Sequence, residues 1–185
     1  MTIISLLLAL AAGLLAWFEY RDRREEALAT RTLEFISTWD ERGYRKPYSL
    51  LRDERKSFFD SLSQVDRRAS HTDARARSNI YFRFYHNFFK EKRNEEAFNQ
   101  VKFFFNMLSL CLEANLCSKN ITKTFFDDTI RTFLDCFGGY LEEEALVTGA
   151  TSSVIQLRHL LSLESGTCFY DSTPQNSGSN TSPGS

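Results

Sequence analysis

The sequence has few residues that break helices and no excess of charge of either sign. It contains 3 Pro and 8 Gly among 185 residues, whereas a many-stranded sandwich would need turn residues more often. The formal net charge is −1, from 23 basic and 24 acidic side chains. A dedicated DNA-binding domain normally carries a strong basic excess. These absences favour an all-α fold and argue against nucleic acid as a partner.

Sequence signatures of catalysis and metal binding are missing as well. The chain has no Gly-rich phosphate loop, no G-x-S-x-G elbow and no H-E-x-x-H pair. Its histidines, His71, His86 and His159, stand in different segments. We therefore expect no catalytic residue, no metal and no cofactor, which favours a protein that is not an enzyme.

The weak candidates for a polar site are Asp128, Asp135 and Asn106. The two aspartates share one face of a predicted helix, where paired carboxylates can bind a metal or share a proton. A solvated face with Arg131 as an ion-pair partner is the simpler interpretation, and we favour it. Asn106 interrupts an apolar stripe, so it is either a buried amide that fixes the register of neighbouring helices or an exposed side chain.

The four cysteines, Cys111, Cys117, Cys136 and Cys168, form no C-x-x-C motif, and no histidine lies at zinc-ligand spacing from them. In a secreted protein they would be expected to pair as disulfides. The cytoplasmic placement argued below instead predicts buried or idle thiols, since free cysteine commonly packs as a small core hydrophobe.

An uncharged apolar run extends from Ile3 to Phe18, with Ser5 as a polar exception. As a helix it would span roughly 25 Å, slightly less than a hydrocarbon core of about 30 Å. A cleaved signal peptide would need a basic segment before the run, and none is present. A membrane anchor is therefore the better interpretation. Its predicted membrane-interface residues are Trp17, Phe18, Tyr20, Arg21, Arg23 and Arg24.

The arginines that follow the run predict the orientation of the anchor. By the positive-inside rule they lie on the cytoplasmic side, which places the N-terminus outside and the C-terminal domain in the cytoplasm. The location would then be the cell (inner) membrane, with a single pass. With the opposite orientation, the Asn120-Ile121-Thr122 sequon would become a glycosylation candidate and the cysteines could pair.

We expect three regions: a transmembrane anchor over 1–20, a helical domain over 21–165 and a disordered tail over 166–185. Apolar spacing predicts that the anchor helix continues through Trp39 and that the domain is a bundle of about four to six helices. Gly43 and Pro47 mark the first break, and 66–78 is a loop or the start of a helix. The strongest helical patterns cover 97–112, where Phe103 and Leu110 widen the apolar face, 122–137, ended by Gly138-Gly139, and 154–163.

Several loose patterns resemble a bacterial family of membrane-anchored helical proteins that is described only as a domain of unknown function. They are Arg31-Thr32-Leu33-Glu34-Phe35 leading to Trp39, Phe103-Phe104-Phe105-Asn106, Leu110-Cys111-Leu112-Glu113-Ala114-Asn115-Leu116, and Phe126-Asp127-Asp128-Thr129-Ile130. The resemblance covers about 1–165 and implies one N-terminal membrane helix followed by a helical cytoplasmic domain. It implies no activity.

Three functional hypotheses remain open. The preferred one is a membrane-tethered interaction or scaffold module that contacts the lipid bilayer and binds a protein partner or a second copy of itself. The second is a sensor or enzyme for a small ligand, with a pocket among the Phe-rich helices. The third is a membrane-perturbing toxin or defence effector, for which Ala11, Ala12 and Gly13 are a weak sign of close helix contact.

Overall fold

The computed structural model describes residues 2–149, 152–164 and 168, and the side chains of residues 2–7, 9, 70 and 71 lie outside that description. Within it the chain forms seven helices and no strand, so the all-α prediction is confirmed. The helices are α1 Thr2–Glu41, α2 Arg45–Asp60, α3 Gln64–Thr72, α4 Ala74–Phe88, α5 Lys92–Glu113, α6 Lys119–Thr148 and α7 Ser153–Leu160.

Helix α1 continues without a break from the apolar N-terminal run into the domain. Its last turns pack through Thr32 and Trp39, which are both buried. The Thr32 hydroxyl donates to the Leu28 carbonyl at 2.8 Å and accepts from the Ser118 backbone N–H at 2.7 Å. The helix ends before Gly43, whose φ of +74° suits glycine because it has no Cβ. Helix α1 is therefore attached to the domain at the start of α6.

Phenylalanine and leucine make up most of the core, and phenylalanine supplies its largest fully buried side chains. Helices α5 and α6 supply most of it, and α7 packs against both while α2 and α4 cover another side. The largest fully buried aromatic side chains are Phe84, Phe98, Phe105 and Phe133. Phenylalanine suits such a core because its ring buries a large apolar surface without needing a hydrogen-bond partner.

Of the two alternatives for 66–78, the loop is wrong and the start of a helix is closer, because these residues form most of α3 and the start of α4, separated at Asp73. The predicted helix end at Gly138-Gly139 is wrong, because α6 continues to Thr148. Each glycine weakens a helix by roughly 1 kcal/mol relative to alanine, but Leu141 beyond them is fully buried. Tertiary packing therefore outweighs the local preference, and the true stop is Gly149, with φ of +70°.

The start of α7 shows where Asn106 acts. Ser152 is the N-cap residue, but its side chain does not cap the helix. Instead, the half-buried Asn106 Oδ1 accepts from the Val154 backbone N–H at 3.1 Å and from the Ser152 hydroxyl at 3.3 Å. The amide on α5 thus supplies the oxygen that an N-cap residue normally provides to the first turn.

Candidate functional site

The outward side of α5 carries an apolar stripe, here called the α5 face, formed by Phe103, Met107 and Leu110. Their exposed fractions are 58%, 45% and 50%. The residues lie at i, i+4 and i+7 on one helix, so they stand in line on the same side. The sequence pattern predicts that Phe103 and Leu110 widen the apolar face of the core side, and that prediction is wrong. The buried side of α5 is already complete with Phe104, Phe105 and other residues that point the opposite way.

The spacing of the α5 face could have revealed it in the sequence. With Ala114, the three residues repeat at the spacing of coiled-coil seam positions. The same helix also carries the apolar pattern of its core side. When all apolar residues are counted together, the two faces look like one wide face. Two apolar sides on one helix mean that one of them stays exposed to water once the domain has folded.

A second candidate site surrounds the cysteines, all of which are paired. Cys111 is bonded to Cys117 and Cys136 to Cys168. The prediction of burial is confirmed for the four residues, but the prediction of free thiols is wrong. The helix ends and the connector bring each pair together in space, which the sequence spacings of 6 and 32 do not reveal.

The Cys136–Cys168 disulfide has a buried cation beside it. Arg55 on α2 is buried, and its Nη1 donates to Cys136 Sγ at 3.3 Å. The sequence pattern, with Leu51 and Phe58 on the apolar side of this helix, predicts that Arg55 lies on the solvated side, and that prediction is wrong. The Cys168 backbone N–H donates to the Tyr81 hydroxyl at 3.1 Å. Burial raises the pKa of Tyr81, and the hydrogen bond from Cys168 and the charge of Arg77 oppose that shift.

The weak acidic candidates do not form a shared site. Asp128 is exposed and pairs with Arg131, as the simpler interpretation expected. Asp135 is largely buried and accepts from Arg158 Nη2 at 2.8 Å. Among the described residues there is no group of histidine, cysteine or acidic side chains that could hold a metal ion. His86 stacks beside the exposed Phe82 ring, and the side chain of His71 lies outside the described residues.

The predicted interface residues lie along the projecting part of α1. Trp17, Phe18 and Tyr20 are exposed. Arg21 stands 5.7 Å from the centre of the Phe18 ring and pairs with Glu25. The predicted anchor also covers side chains that lie outside the described part of the chain, at 1–7 and 9. Where the chain is described, no helix combines the length and the apolar character that crossing a membrane requires.

An open groove of about 790 Å³ lies where α1, α2 and α6 meet. Trp39 and Phe126 form its apolar wall, and Arg45, Lys46 and Arg52 line its rim. Asp40 pairs with Arg45 at 2.8 Å. The groove is thus apolar inside and mainly basic at the edge.

Comparisons with protein-family models, with curated proteins and with solved structures find no match for this chain.

Proposed function

We propose that this protein is a membrane-tethered helical interaction module that binds a protein partner through the α5 face. The observation that carries the proposal is the line of Phe103, Met107 and Leu110 on the solvent side of an otherwise well-packed helix. Large apolar side chains in a row are a common feature of surfaces that bind an amphipathic helix. A partner helix would remove them from water, which is the main source of favourable free energy in such contacts.

The sequence supports the tether. The run from Ile3 to Phe18 has no charge and is followed by aromatic and basic residues, as at a membrane interface. Helix α1 joins this run directly to the buried Trp39. A continuous helix would hold the domain at a set distance from the bilayer. The proposed kinship with the bacterial membrane-anchored family agrees with this arrangement and adds no activity.

The proposed orientation has the N-terminus outside and the domain in the cytoplasm, because Arg21, Arg23 and Arg24 follow the apolar run. The two disulfides weigh in the other direction, since stable disulfides are typical of oxidising compartments. Fusions to the C-terminus of the full chain test the point. A fluorescent protein should fold and emit while alkaline phosphatase stays inactive, and the reverse pattern would overturn the cytoplasmic orientation.

Purification of the full-length tagged protein from a bacterial host, in mild detergent, tests the interaction. We expect a stoichiometric protein partner, either another chain or a second copy. The variant with Phe103→Ser, Met107→Ser and Leu110→Ser should lose it. A matched control replaces Leu146 and Val147, which are exposed apolar residues near the end of α6, and should retain it. A clean monomer from the unchanged protein, or equal loss in both variants, would count against the α5 face.

The groove beside Trp39 favours one alternative, a sensor for a small anionic molecule with an apolar body. Its basic rim and aromatic wall suit a carboxylate or phosphate joined to an apolar group. Native mass spectrometry of the same preparation separates the two functions. A bound small molecule and no protein partner would favour the sensor, and Arg52→Gln should then release it.

A further inference from the structure

Arg55 is a buried cation that contacts a cysteine of the second disulfide. A charged side chain is rarely buried unless hydrogen bonds or opposite charges compensate the loss of water. Arg55 reaches across from α2 to α6, where its Nη1 lies 3.3 Å from Cys136 Sγ. A disulfide sulfur is a weak acceptor, but a thiolate is a strong one. The guanidinium therefore suits the reduced state of Cys136 better than the oxidised state.

Residues from four helices surround the Cys136–Cys168 disulfide. Tyr81 on α4 accepts from the Cys168 backbone N–H, and Tyr85 on the same helix donates to the Cys136 carbonyl at 2.8 Å. The titratable and charged groups around the pair include Arg55 from α2, Tyr81, Tyr85 and Arg77 from α4, Asp135 beside Cys136 on α6, and Arg158 from α7 as the partner of Asp135. Asp135 is paired with Arg158, so its negative charge is balanced within the site.

We propose that Cys136 and Cys168 form a reversible thiol–disulfide site that reacts with dithiol reductants, with Arg55 stabilising the Cys136 thiolate. A neighbouring guanidinium favours the thiolate over the thiol, and a sulfur that is stable as thiolate is the better leaving group. The site does not depend on the proposed interaction function. Reversibility would also reconcile this bond with the proposed cytoplasmic orientation, because the few disulfides found in cytosolic proteins are usually transient and catalytic or redox-sensing.

The reduction proceeds in two exchanges. A thiolate of the dithiol attacks Cys168 Sγ, the Cys136–Cys168 bond breaks, and its electron pair stays on Cys136 Sγ beside Arg55. This leaves a mixed disulfide between Cys168 and the reductant. The second thiol of the reductant, after losing its proton to solvent, attacks the reductant's own sulfur in that mixed disulfide and releases Cys168 as a thiolate, which takes up a proton. Two electrons pass to the protein, and the reductant leaves as a cyclic disulfide.

Both sulfurs lie inside the domain, because Cys136 and Cys168 are buried. Local opening must precede attack, so the rate of reduction reports opening as well as chemistry. The equilibrium between disulfide and dithiol does not depend on access. The equilibrium position is therefore the quantity that tests the effect of Arg55.

The experiment equilibrates the full-length protein, in detergent, in buffers with graded ratios of reduced to oxidised dithiothreitol. After acid quenching and alkylation, mass spectrometry of peptides quantifies each cysteine pair. We expect Arg55→Gln to need a ratio about ten-fold higher for half-reduction of Cys136–Cys168, because the thiolate loses a charge-assisted hydrogen bond. Arg55→Lys keeps the charge and should shift the ratio less.

The Cys111–Cys117 pair is the control within the same molecule. The hydrogen bond from Arg55 goes to Cys136 Sγ, which belongs to the other pair. The midpoint of Cys111–Cys117 should therefore stay unchanged in both Arg55 variants. An unchanged Cys136–Cys168 midpoint, or an equal shift of both pairs, would overturn the proposal.

A second measurement covers the case in which Arg55→Gln does not fold. The reduced wild-type protein near neutral pH should show the ultraviolet absorbance of a thiolate, and Cys136→Ser should lower that absorbance by the amount of one thiolate. Equal absorbance of the two proteins would refute a stabilised Cys136 thiolate.

Discussion

Replacing Trp39 with alanine is expected to lower the free energy of unfolding by about 4 kcal/mol. The ring lies at the junction of α1, α5 and α6, with ring centroids at 4.8 Å from Phe104, 5.8 Å from Phe105 and 5.7 Å from Phe126. Truncation removes a large buried side chain and leaves a cavity among rigid rings. Domains of this size are stable by about 5–15 kcal/mol, so the loss would be a large part of the total.

Trp17 gives a matched control, because the sequence has 2 Trp and they differ in burial. Trp39 is 7% exposed and Trp17 is 62% exposed. Trp17→Ala should change the unfolding free energy by no more than about 0.5 kcal/mol. Urea unfolding followed by circular dichroism measures both variants, and the fluorescence of Trp39 reports core unfolding in the Trp17→Ala protein. A loss below about 1 kcal/mol for Trp39→Ala, or equal losses for the two variants, would refute the reasoning.

Three further substitutions probe polar groups of the domain. Thr122→Val should raise the unfolding free energy by roughly 1 kcal/mol, because the buried Thr122 hydroxyl has no hydrogen-bond partner among the described residues; a lower melting temperature would contradict this. Asn106→Ala should cost about 1–2 kcal/mol and reduce the hydrogen-exchange protection of the Val154 amide, whose acceptor is Asn106 Oδ1; unchanged protection would argue against the cap. Burial raises the pKa of Tyr85 above its usual value, so the stability it contributes is present below about pH 10 and is lost as pH rises further, while the unfolded chain ionises first. Tyr85→Phe should therefore lose less stability than wild type between about pH 9 and pH 11 in urea titrations, and identical pH profiles would count against the shift.

The helical class and several boundaries follow from local signals in the chain. The apolar spacing before Trp39 predicted that α1 continues past the N-terminal run, and α1 reaches Glu41. Gly43 lies just after the end of α1, where the backbone needs a residue with positive φ. Residues 114–118 separate α5 from α6. These features depend on backbone preference and side-chain period, both of which are properties of neighbouring residues.

Other features depend on residues that are distant along the chain. Gly138-Gly139 stays helical because the surrounding core buries Leu141. Arg55 is buried, and α6 brings Cys136 within hydrogen-bond distance of it. The sequence of α2 alone does not show that Arg55 contacts Cys136. The wrong predictions about the glycines, Arg55 and the cysteines therefore share one cause, which is contact between elements far apart in sequence.

The sequence by itself determined an all-helical domain with a Phe-rich core, because hydrophobic period and the scarcity of Pro and Gly act locally. The tertiary structure alone decided which apolar residues of α5 face water. Phe103, Met107 and Leu110 have the same chemistry as their buried neighbours. What separates them is the side of α5 that α2 and α7 cover, and only the packed arrangement of helices defines that side.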